Sequence, residues 1–540
     1  MILSDHDLLQ IERKKLLTLS VEQLRSLCGD LLDDLKDARE RLNQNSRNSS
    51  RPPSHDAPWD KINNHPVDDE DDIDDEDLDL SEAAQLKKTV QEPINNRAEQ
   101  SSSPDGTVTA TPPTTATSPS DDSNKRKPGK QPGATGFGRQ QVIPVTDYEH
   151  HIPEHCACCH EVADRERAVA HTAFDELDIV SNNPERPGMI LKNTQHTYYE
   201  LLCLCGHVTR AMPINTPITD LEKPMSISQW RLVGSGLACL IVCLAYRMRL
   251  SRPRIKEFLS DWLHVELAVG TIHKSLKETG ACALPVEEQL VPAVQQSSLL
   301  HIDETTWKEG SLLMWLWVFC NQSVVAYWIG YRSMEILNNV LGDCYQGWIM
   351  SDGYKAYRHI IKRLRCWAHL IRKAKGLSEA LTPNVQAFGR QTLELLNTLI
   401  DAVYAAREHP PNRPLSETYK TQLDEYKALC EIMVKSSHPK ACALATEILN
   451  DWEVIFIVLL HPHLPLTNNE AERALRHWVI LRNMLQGSRT PDGSRLLAIT
   501  ISIIETCRVR KQSPWTYMTE LITKRRAGLP APKLPEVAGV

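Results

Sequence analysis

The chain has 540 residues, of which 41% are hydrophobic and 24% are charged, with a formal net charge of −8 at pH 7. A chain of this length accommodates three or four domains, and its hydrophobic fraction supports at least one sizeable core. The longest apolar run, residues 232–246, contains two glycines and is shorter than the ~20 residues needed to cross a bilayer. We therefore expect a buried helix there and no membrane partner.

The beginning of the chain and its cysteines indicate a cytoplasmic protein. The opening residues MILSDHDLLQIERKK lack the apolar run of a secretory signal peptide. Fifteen cysteines are mostly scattered along the chain, which is typical of a reducing compartment rather than of a disulfide framework.

The first 145 residues divide into a helical segment and a linker. Leucines recur in a roughly heptad pattern through residues 1–50, which predicts either a short coiled coil or a solitary amphipathic helix. Residues 51–145 are first acidic, then rich in Ser, Thr and Pro, and basic at 125–140, so we expect a disordered linker. Residues 68–82 hold eleven acids, and removing them from the net charge of −8 leaves +3. The acidic block and the basic remainder are therefore expected to have different roles.

Two compact segments follow the linker. Residues 146–215 contain two cysteine clusters, HCACCH and CLCG. Residues 225–295 have the pattern of a helical domain, within which residues 251–280 predict a helix, a turn and a second helix. That arrangement is typical of DNA-reading units, but small helical pairs are common in other proteins, so both interpretations stay open.

Residues 296–375 have the pattern of strands. Asp303 and Asp352 each end an apolar run, LLHID and WIMSD, before a polar turn. Between them, LLMWLWVFCNQSVVAYWIGY predicts a hairpin that turns at Asn-Gln. If the strands that carry the two aspartates are neighbours, both carboxylates emerge side by side.

The remaining segments are mostly helical. Residues 376–460 predict helices with a proline-rich break at 409–414. Residues 461–515 predict two further helices, the first of which begins in PLTNNEAERALRHWVILRN, and residues 516–540 are expected to form a C-terminal tail.

Two glutamates occupy the first turn of the helix in NNEAERALR. When residues are placed every 100°, the apolar side chains form one stripe along the helix. Glu470 shares its side with Arg473 and His477, which is typical of a surface ion-pair face. Glu472 lies on the other edge of the stripe, four residues before Arg476. That position suits a recessed polar site, so Glu472 is the candidate functional residue.

Together, Asp303, Asp352 and Glu472 suggest a site for divalent metal ions. Two hard cations about 3.5–4 Å apart prefer oxygen ligands and assist in-line displacement at phosphorus. No Gly-rich nucleotide loop and no Ser-His-Asp arrangement stands out in the sequence. Single acids at strand ends are common, so the hypothesis rests on the combination.

A basic run directly follows Asp352. Residues 353–375 contain eight Lys and Arg and no acid, whereas a solvated helix face would usually include acids. Such a run beside a metal–carboxylate site favours a polyanionic substrate. Seven of these residues are predicted to contact DNA: Lys355, Arg358, Lys362, Arg363, Arg365, Arg372 and Lys373.

The chain resembles the insertion-sequence sixty-six family of bacterial transposases over nearly its whole length. The motifs that carry the resemblance occur in order as NSRNSSRPPS, KRKPGKQPGATG, HIDET, SDGY, RCWAHLIRKA and NNEAERALR. The resemblance implies a multidomain α+β protein. It also implies a ribonuclease H-like α/β catalytic domain, residues 296–375 and 461–515, with the helical insertion 376–460 before its catalytic glutamate.

The resemblance also implies a DDE catalytic triad of Asp303, Asp352 and Glu472. The family glutamate stands immediately before Arg in Asn-Asn-x-x-Glu-Arg, which places it at Glu472. The triad would hold two Mg²⁺ or Mn²⁺ ions. Auxiliary roles are expected for three nearby residues: His369, Asn469 and Arg476.

The cysteine clusters depart from the family pattern. The family usually binds zinc with two Cys-x-x-Cys pairs, and the second cluster here is one residue short. Five cysteines within 50 residues still favour a structural Zn²⁺. The expected ligands are Cys156, Cys159, Cys203 and Cys205, with His160 or His207 as substitutes.

We therefore expect a DNA transposase of a bacterial insertion sequence, which binds the element's ends, cuts them and joins the freed 3′-hydroxyls to target DNA. A homo-oligomer is expected, and accessory proteins of the same element are candidate partners. Two alternatives stay open: a DNA-binding regulator with an inactive ribonuclease H-like domain, and a nuclease that does not transpose. An intact triad argues against the first, and the zinc and helix-turn-helix segments argue against the second.

Overall fold

The computed structural model of the chain describes residues 19–42, 141–162, 164–180, 188–342 and 345–537. Helix α1 (Val21–Leu42) confirms a helix in the N-terminal segment. Ser20 caps it, because its Oγ accepts a hydrogen bond from Gln23 N at 3.2 Å while Gln23 Oε1 accepts one from Ser20 N at 3.0 Å. Most of the predicted linker 51–145 lies outside the described residues, and the coiled coil stays a prediction.

The cysteine-rich segment is built on a small sheet. Its strands are β1 (Asp147–His151), β2 (Val169–Val180), β3 (Ile190–Leu202) and β4 (Val208–Arg210), and a separate pair is formed by β5 (Asn215–Ile218) and β6 (Met225–Ser228). Strand β3 lies between β1 and β2 and also pairs with β4. The β1–β3 pair is parallel, whereas β3 pairs with β2 and β4 in antiparallel fashion.

Four helices follow this sheet. They are α2 (Ser235–Val242), α3 (Arg252–Leu263), α4 (Val269–Ala283) and α5 (Glu287–Gln295). Helix α2 is almost wholly buried, which confirms the expected buried helix within 232–246. Among the helices of the described residues, none combines the length and the hydropathy of a bilayer-spanning segment.

The predicted helix-turn-helix corresponds to α3 and α4. The C-terminal half of α4, from Glu278 to Ala283, is buried. A Cβ added at Gly280 would lie 2.7 Å from Leu496 Cβ, so this half packs closely on another helix. Only the N-terminal half of α4, which includes exposed His273 and Lys274, is open to a nucleic-acid groove.

A five-stranded sheet forms the centre of the protein. Its strands are β7 (Leu299–Glu309), β8 (Leu312–Cys320), β9 (Val325–Gly330), β10 (Trp348–Ser351) and β11 (Arg363–Arg365), and α6 (Met334–Leu341) precedes β10. Their order is β11-β10-β7-β8-β9, with β7, β8 and β9 antiparallel and β10 and β11 parallel to β7. The β8–β9 hairpin turns at Asn321, as predicted, because Asn321 Oδ1 accepts hydrogen bonds from Ser323 N and Val324 N at 2.8 and 2.9 Å.

The predicted helical insertion has a hydrophobic core of its own. This core is formed by α7 (Trp367–Ser378), which begins before the predicted start at 376, and by α8 (Pro383–Glu408), α9 (Leu415–Thr418), α10 (Lys420–Met433), α11 (Pro439–Asn450) and α12 (Trp452–Phe456). The break predicted at 409–414 falls between α8 and α9. Met350 and Leu364 of the central sheet contribute to the core of the insertion, so the helices pack against the β10–β11 edge.

The last helices are α13 (Asn469–Leu485), α14 (Pro491–Val509) and α15 (Pro514–Arg526). The prediction of a C-terminal tail over 516–540 is wrong, because α15 buries Met518 and Leu521 in the main core. Buried Arg526 fixes its end by donating to Val233 O at 2.7 Å and pairing with Glu278 at 3.2 Å.

One hydrophobic core crosses several of the predicted domain boundaries. It contains Leu177 of the cysteine-rich segment, Leu237 of the helical segment, Leu300 of the central sheet and Leu521 of α15. The described part of 143–540 accordingly forms one compact α/β unit. The boundaries at 215–225, 295–296 and 515–516 mark changes of secondary structure rather than separate cores.

Candidate active site

Two neighbouring parallel strands carry the candidate aspartates. Strand β10 pairs with β7 in parallel, with Met350 opposite His301. Each aspartate lies two residues beyond this pair: Asp303 is still within β7, and Asp352 directly follows the end of β10. Asp303 does not end its strand as predicted, because it pairs with Val318 of β8 and β7 continues to its end at residue 309.

Asp303 lies among other carboxylates. Burial raises the pKa of Asp303 well above its ordinary value, and the charges of Glu304, Asp352 and Glu472 raise it further. A hydrogen bond from Glu304 N to Asp303 Oδ1, at 2.9 Å, acts in the opposite direction. Because ionised carboxylates disfavour one another in a poorly solvated site, this cluster offers both oxygen ligands and a negative field to a divalent cation.

A tight turn fixes the second aspartate. Tyr354 N donates a hydrogen bond to Asp352 Oδ1 at 2.8 Å. A Cβ at the intervening Gly353 would lie 2.7 Å from Nη2 of Arg365. The turn therefore rests directly on a buried guanidinium group and leaves little room for any residue larger than glycine.

Glu472 projects from the first turn of α13 towards α7. His369 Nε2 lies 3.1 Å and Arg372 Nη2 lies 3.3 Å from Glu472 Oε1. The hydrogen bond from His369 lowers the pKa of Glu472, and the Arg372 charge adds to this effect, although partial burial opposes it. Of the auxiliary candidates, His369 thus contacts the glutamate, whereas Asn469 and Arg476 are exposed on α13.

Asn468, which the sequence analysis did not single out as functional, positions α13. Its Nδ2 donates to Ile302 O at 2.9 Å, and its Oδ1 lies 3.1 Å from His301 Nδ1. Its backbone N donates to Cys366 Sγ at 3.3 Å. These contacts fasten the start of α13 to the strand residue that precedes Asp303. The pair of asparagines was visible in the sequence, but which of them caps the helix was not.

Glu470 has a different partner from the one predicted. Its Oε2 lies 3.7 Å from His301 Nε2, rather than pairing with Arg473 or His477 on its own helix. His477 instead contacts Tyr246 O at 2.8 Å and Arg249 Nη2 at 2.8 Å. The His301 ring therefore contacts Asn468 through Nδ1 and Glu470 through Nε2.

Glu304 adds a fourth carboxylate, which the sequence analysis missed. Its Oε2 accepts a hydrogen bond from Tyr357 OH at 2.6 Å, and its Oε1 lies 2.8 Å from Arg332 Nη2. The Arg332 guanidinium lies over the rings of Trp315 and Tyr354, at 4.3 and 4.0 Å from their centroids. The positive charge of Arg332 thus offsets the negative charge of Glu304, the neighbour of Asp303. Its position next to Asp303 in HIDET was the available signal.

The segment that contains this site matches a known protein family. Residues 231–496 match the family described as Transposase IS66 family. Residues 231–496, just under half of the chain, belong to this family. Residues 7–67 match a family of unknown function. An uncharacterized protein, y4qI of Sinorhizobium fredii (strain NBRC 101917 / NGR234), is 24% identical over 283 residues, which are 46% of this chain and 51% of that protein. The chain thus spans about half the length of this curated relative.

The basic run within this transposase-family segment is only partly free to meet DNA. Arg363 and Arg365 are buried and form ion pairs with Asp451, and Arg365 also pairs with Glu447. Their prediction as DNA-contacting residues is therefore wrong, because both guanidinium groups are occupied inside the fold. Burial opposes the ionisation of both acids, but Lys373 and the arginines outweigh it and hold the pKa of Glu447 and of Asp451 below the ordinary range.

The remaining predicted DNA contacts fall into two groups. Lys373 pairs with Glu447 at 2.6 Å and Arg372 pairs with Glu472 at 3.3 Å, so each already has an acidic partner. Lys355, Arg358 and Lys362 are exposed. These three are the predicted DNA contacts that remain available to a polyanion, and Lys375, the eighth basic residue of the run, is exposed as well.

The four predicted zinc ligands lie together. Cys156 Sγ is 3.7 Å from Cys205 Sγ, and Cys159 Sγ is 3.5 Å from Cys203 Sγ. The four sulfur atoms lie within 4.8 Å of one another, and none forms a disulfide. Backbone N–H groups of Cys159 and Cys158 lower the pKa of Cys156 to about 6, which favours the thiolate. Neither of the proposed substitutes, His160 and His207, is part of this group.

Replacing Arg365 tests the structural role of the buried ion pairs. Arg365→Met should lower the free energy of unfolding by about 3–5 kcal/mol, because it leaves buried carboxylates with fewer partners. Lys362→Met, a change at an exposed residue nearby, should alter it by less than about 0.5 kcal/mol. Urea denaturation of the full chain, monitored by circular dichroism, measures both. An Arg365→Met protein that is as stable as wild type but binds DNA poorly would show that Arg365 contacts DNA, as the sequence predicted.

Proposed function

We propose that the chain is a DNA transposase whose catalytic residues are Asp303, Asp352 and Glu472. The observation that carries the proposal is the convergence of three carboxylates within the segment that matches the transposase family. Asp303 and Asp352 each lie two residues beyond the paired His301 and Met350 of adjacent parallel strands, and Glu472 stands in the first turn of the helix that Asn468 fastens to Ile302. The reaction is strand cleavage at the element's ends followed by transfer of the 3′-hydroxyls to target DNA.

The residues at this site suit two Mg²⁺ or Mn²⁺ ions. Hard divalent cations prefer oxygen ligands, and all three candidate ligands are carboxylates. The raised pKa of Asp303 reflects burial and the repulsion of its neighbours, a cost that bound cations relieve. When bound, the two ions activate the attacking oxygen and stabilise the leaving oxygen in an in-line displacement.

The neighbouring residues orient the three carboxylates. Tyr354 N holds Asp352 in its turn, and His369 and Arg372 of α7 hold the Glu472 carboxylate. Arg332 neutralises Glu304, so that the adjacent Asp303 meets less negative charge than four carboxylates would otherwise impose. The order of the central sheet supports a ribonuclease H-like domain, because its antiparallel hairpins are followed by two parallel strands on the side that carries Asp352.

The four-cysteine cluster suits a structural Zn²⁺. Ligands about 2.3 Å from a tetrahedral ion lie roughly 3.8 Å apart, close to the sulfur separations of 3.5 and 3.7 Å. Two tight turns present the thiols, since His160 N donates to Cys156 O at 3.1 Å and Gly206 N donates to Cys203 O at 2.9 Å. The zinc would stabilise the small sheet, which adjoins the helical segment that we assign to DNA binding.

DNA is the proposed substrate, and a cytoplasmic homo-oligomer assisted by accessory proteins of the element is the proposed working form. End recognition is assigned to the N-terminal half of α4 and to the zinc-bearing segment. Sequence-independent affinity is assigned to exposed Lys355, Arg358 and Lys362. This division follows from the general rule that phosphate contacts position a protein while base contacts specify its site.

Conservative changes of the carboxylates test the catalytic assignment. Asp303→Asn, Asp352→Asn and Glu472→Gln should each reduce strand cleavage by at least about 10²-fold, because each removes a metal-binding charge while preserving shape. The assay follows nicking of duplex DNA that carries the inverted repeats flanking the coding sequence, with Mg²⁺ and with chelator. Binding of the same DNA should be unchanged.

Glu470→Gln is the matched control for Glu472→Gln, since both change one glutamate in the same helical turn. It should retain most of the activity. An inactive Glu470→Gln protein together with an active Glu472→Gln protein would show that the wrong glutamate was chosen. Specific binding without any cleavage in wild type would favour the regulator, and cleavage without end preference or strand transfer would favour the non-transposing nuclease.

Neutralising the exposed basic residues tests their role in DNA affinity. The triple change Lys355→Gln, Arg358→Gln and Lys362→Gln should weaken binding to end DNA and random DNA about equally. Each lost phosphate contact should flatten the slope of log affinity against log salt by roughly 0.9. A control with the same charge change replaces three exposed lysines of the insertion, Lys420, Lys435 and Lys440. Loss of discrimination without a change of slope would mean that the run reads sequence.

Metal analysis of the full chain tests the cysteine site. Cys203→Ser should lose one equivalent of zinc, whereas Cys158→Ser, at an exposed cysteine of the same cluster that lies outside the four-sulfur group, should keep it. The loss should also lower the thermal unfolding temperature, because structural zinc contributes to folding. Equal zinc contents in these two variants would contradict the assignment.

A further inference from the structure

A second group of metal-type ligands lies on the small sheet, away from the cysteines. Glu149 and His151 belong to β1, and His196 belongs to β3. Glu149 pairs across the strands with His196, and His151 pairs with Tyr198 two residues further on. Because side chains alternate along a strand, all three ligands project from the same face of the β1–β3 pair.

The ligand atoms have the separations of a metal site. His151 Nε2 is 3.0 Å from His196 Nδ1, which is in turn 3.4 Å from Glu149 Oε2. All three ligand atoms lie within 4.8 Å of one another. Nitrogen and oxygen ligands at about 2.0–2.2 Å from a tetrahedral ion are separated by roughly 3.3–3.5 Å. The group therefore needs only small adjustments to close around one ion.

The surrounding rings hold the two imidazoles in place. His151 stacks on Tyr198 at a centroid distance of 4.2 Å, and Phe174 stacks on His196 at 4.9 Å. The His196 side chain is 13% exposed, and its buried Nε2 has no hydrogen-bond partner, so the polar contacts of this ring are made through Nδ1. Burial lowers the pKa of both His151 and His196, which favours the neutral form of each ring.

We propose that Glu149, His151 and His196 form a second metal site, which binds a divalent transition-metal ion of the zinc class. Two imidazoles and one carboxylate are ligands that Zn²⁺ accepts, and three protein ligands leave one tetrahedral position for water. The site lies outside residues 231–496, which carry the family match, and does not depend on the proposed transposase activity.

The position of the site indicates a structural role. Strand β1 has only five residues, is bound to the sheet through β3 alone, and has exposed residues at its centre. Cys156 follows His151 by five residues, so β1 leads directly into the first cysteine turn. A metal ion shared by β1 and β3 would therefore fasten this edge strand and, with it, one side of the cysteine cluster.

Zinc content of the full chain tests the proposal. After purification, saturation with Zn²⁺ and removal of loosely bound metal by gel filtration, wild type should retain two equivalents, as measured by plasma mass spectrometry. His151→Gln and His196→Gln should each retain one equivalent, as should Cys203→Ser. The combination of His151→Gln with Cys203→Ser should retain none. His150→Gln is the matched control and should retain two, because His150 is exposed and its Nδ1 contacts Tyr199 OH at 2.9 Å rather than the ligand group.

A second variant keeps the test decisive if a histidine change disturbs folding. Glu149→Gln alters an exposed residue and should leave the circular dichroism spectrum unchanged while weakening binding of the second Zn²⁺ by at least about tenfold. Added Zn²⁺ should also raise the unfolding temperature of wild type more than that of Glu149→Gln. A wild-type chain with one equivalent, lost in Cys203→Ser but retained in His151→Gln and Glu149→Gln, would overturn the proposal and leave only a hydrogen-bonded histidine pair.

Discussion

The gathering of acidic side chains around Asp303 is the constraint that organises the centre of this protein. Glu304, Asp352 and Glu472 all raise the pKa of Asp303, so each disfavours its ionisation. Like charges in a buried site destabilise a fold unless cations or hydrogen bonds offset them. Glu304 and Glu472 have side-chain partners of this kind. For Asp303, the described residues show one hydrogen bond to its carboxylate, from the backbone N–H of Glu304.

The partners of Glu304 and Glu472 come from other elements of the chain. Arg332 and Tyr357 serve Glu304, and His369 and Arg372 serve Glu472. Each partner lowers the electrostatic cost of its own acid. The arrangement is stable enough to fold and still favours the arrival of a multivalent cation. The same charges therefore affect both the stability of the site and its proposed chemistry.

The sequence predicted the elements better than it predicted the pairing of charges. The strands before Asp303 and Asp352, the Asn321 hairpin, the insertion helices and the helix of Glu472 all have local hydrophobic patterns, and all were found. Local patterns do not reveal whether a charged side chain is buried or which residue it pairs with. Arg363 and Arg365 looked like free cations because their partners, Glu447 and Asp451, lie more than 80 residues downstream. The still larger sequence separation of Glu470 and His301 concealed their contact.

The insertion is compatible with a precise site because its two ends are fastened together. The chain leaves β11 at Cys366 and returns at Leu466, where Trp367 N donates to Leu466 O at 2.9 Å and Asn468 N donates to Cys366 Sγ at 3.3 Å. Closing a loop costs entropy that grows only with the logarithm of its length, so a long insertion with a fixed base is tolerated. The buried pairs of Arg363 and Arg365 with the insertion stabilise the same base from the β11 side. Glu472 follows this junction by a single helical turn, so the insertion that separates it from the aspartates in sequence also fixes the start of its helix against β7.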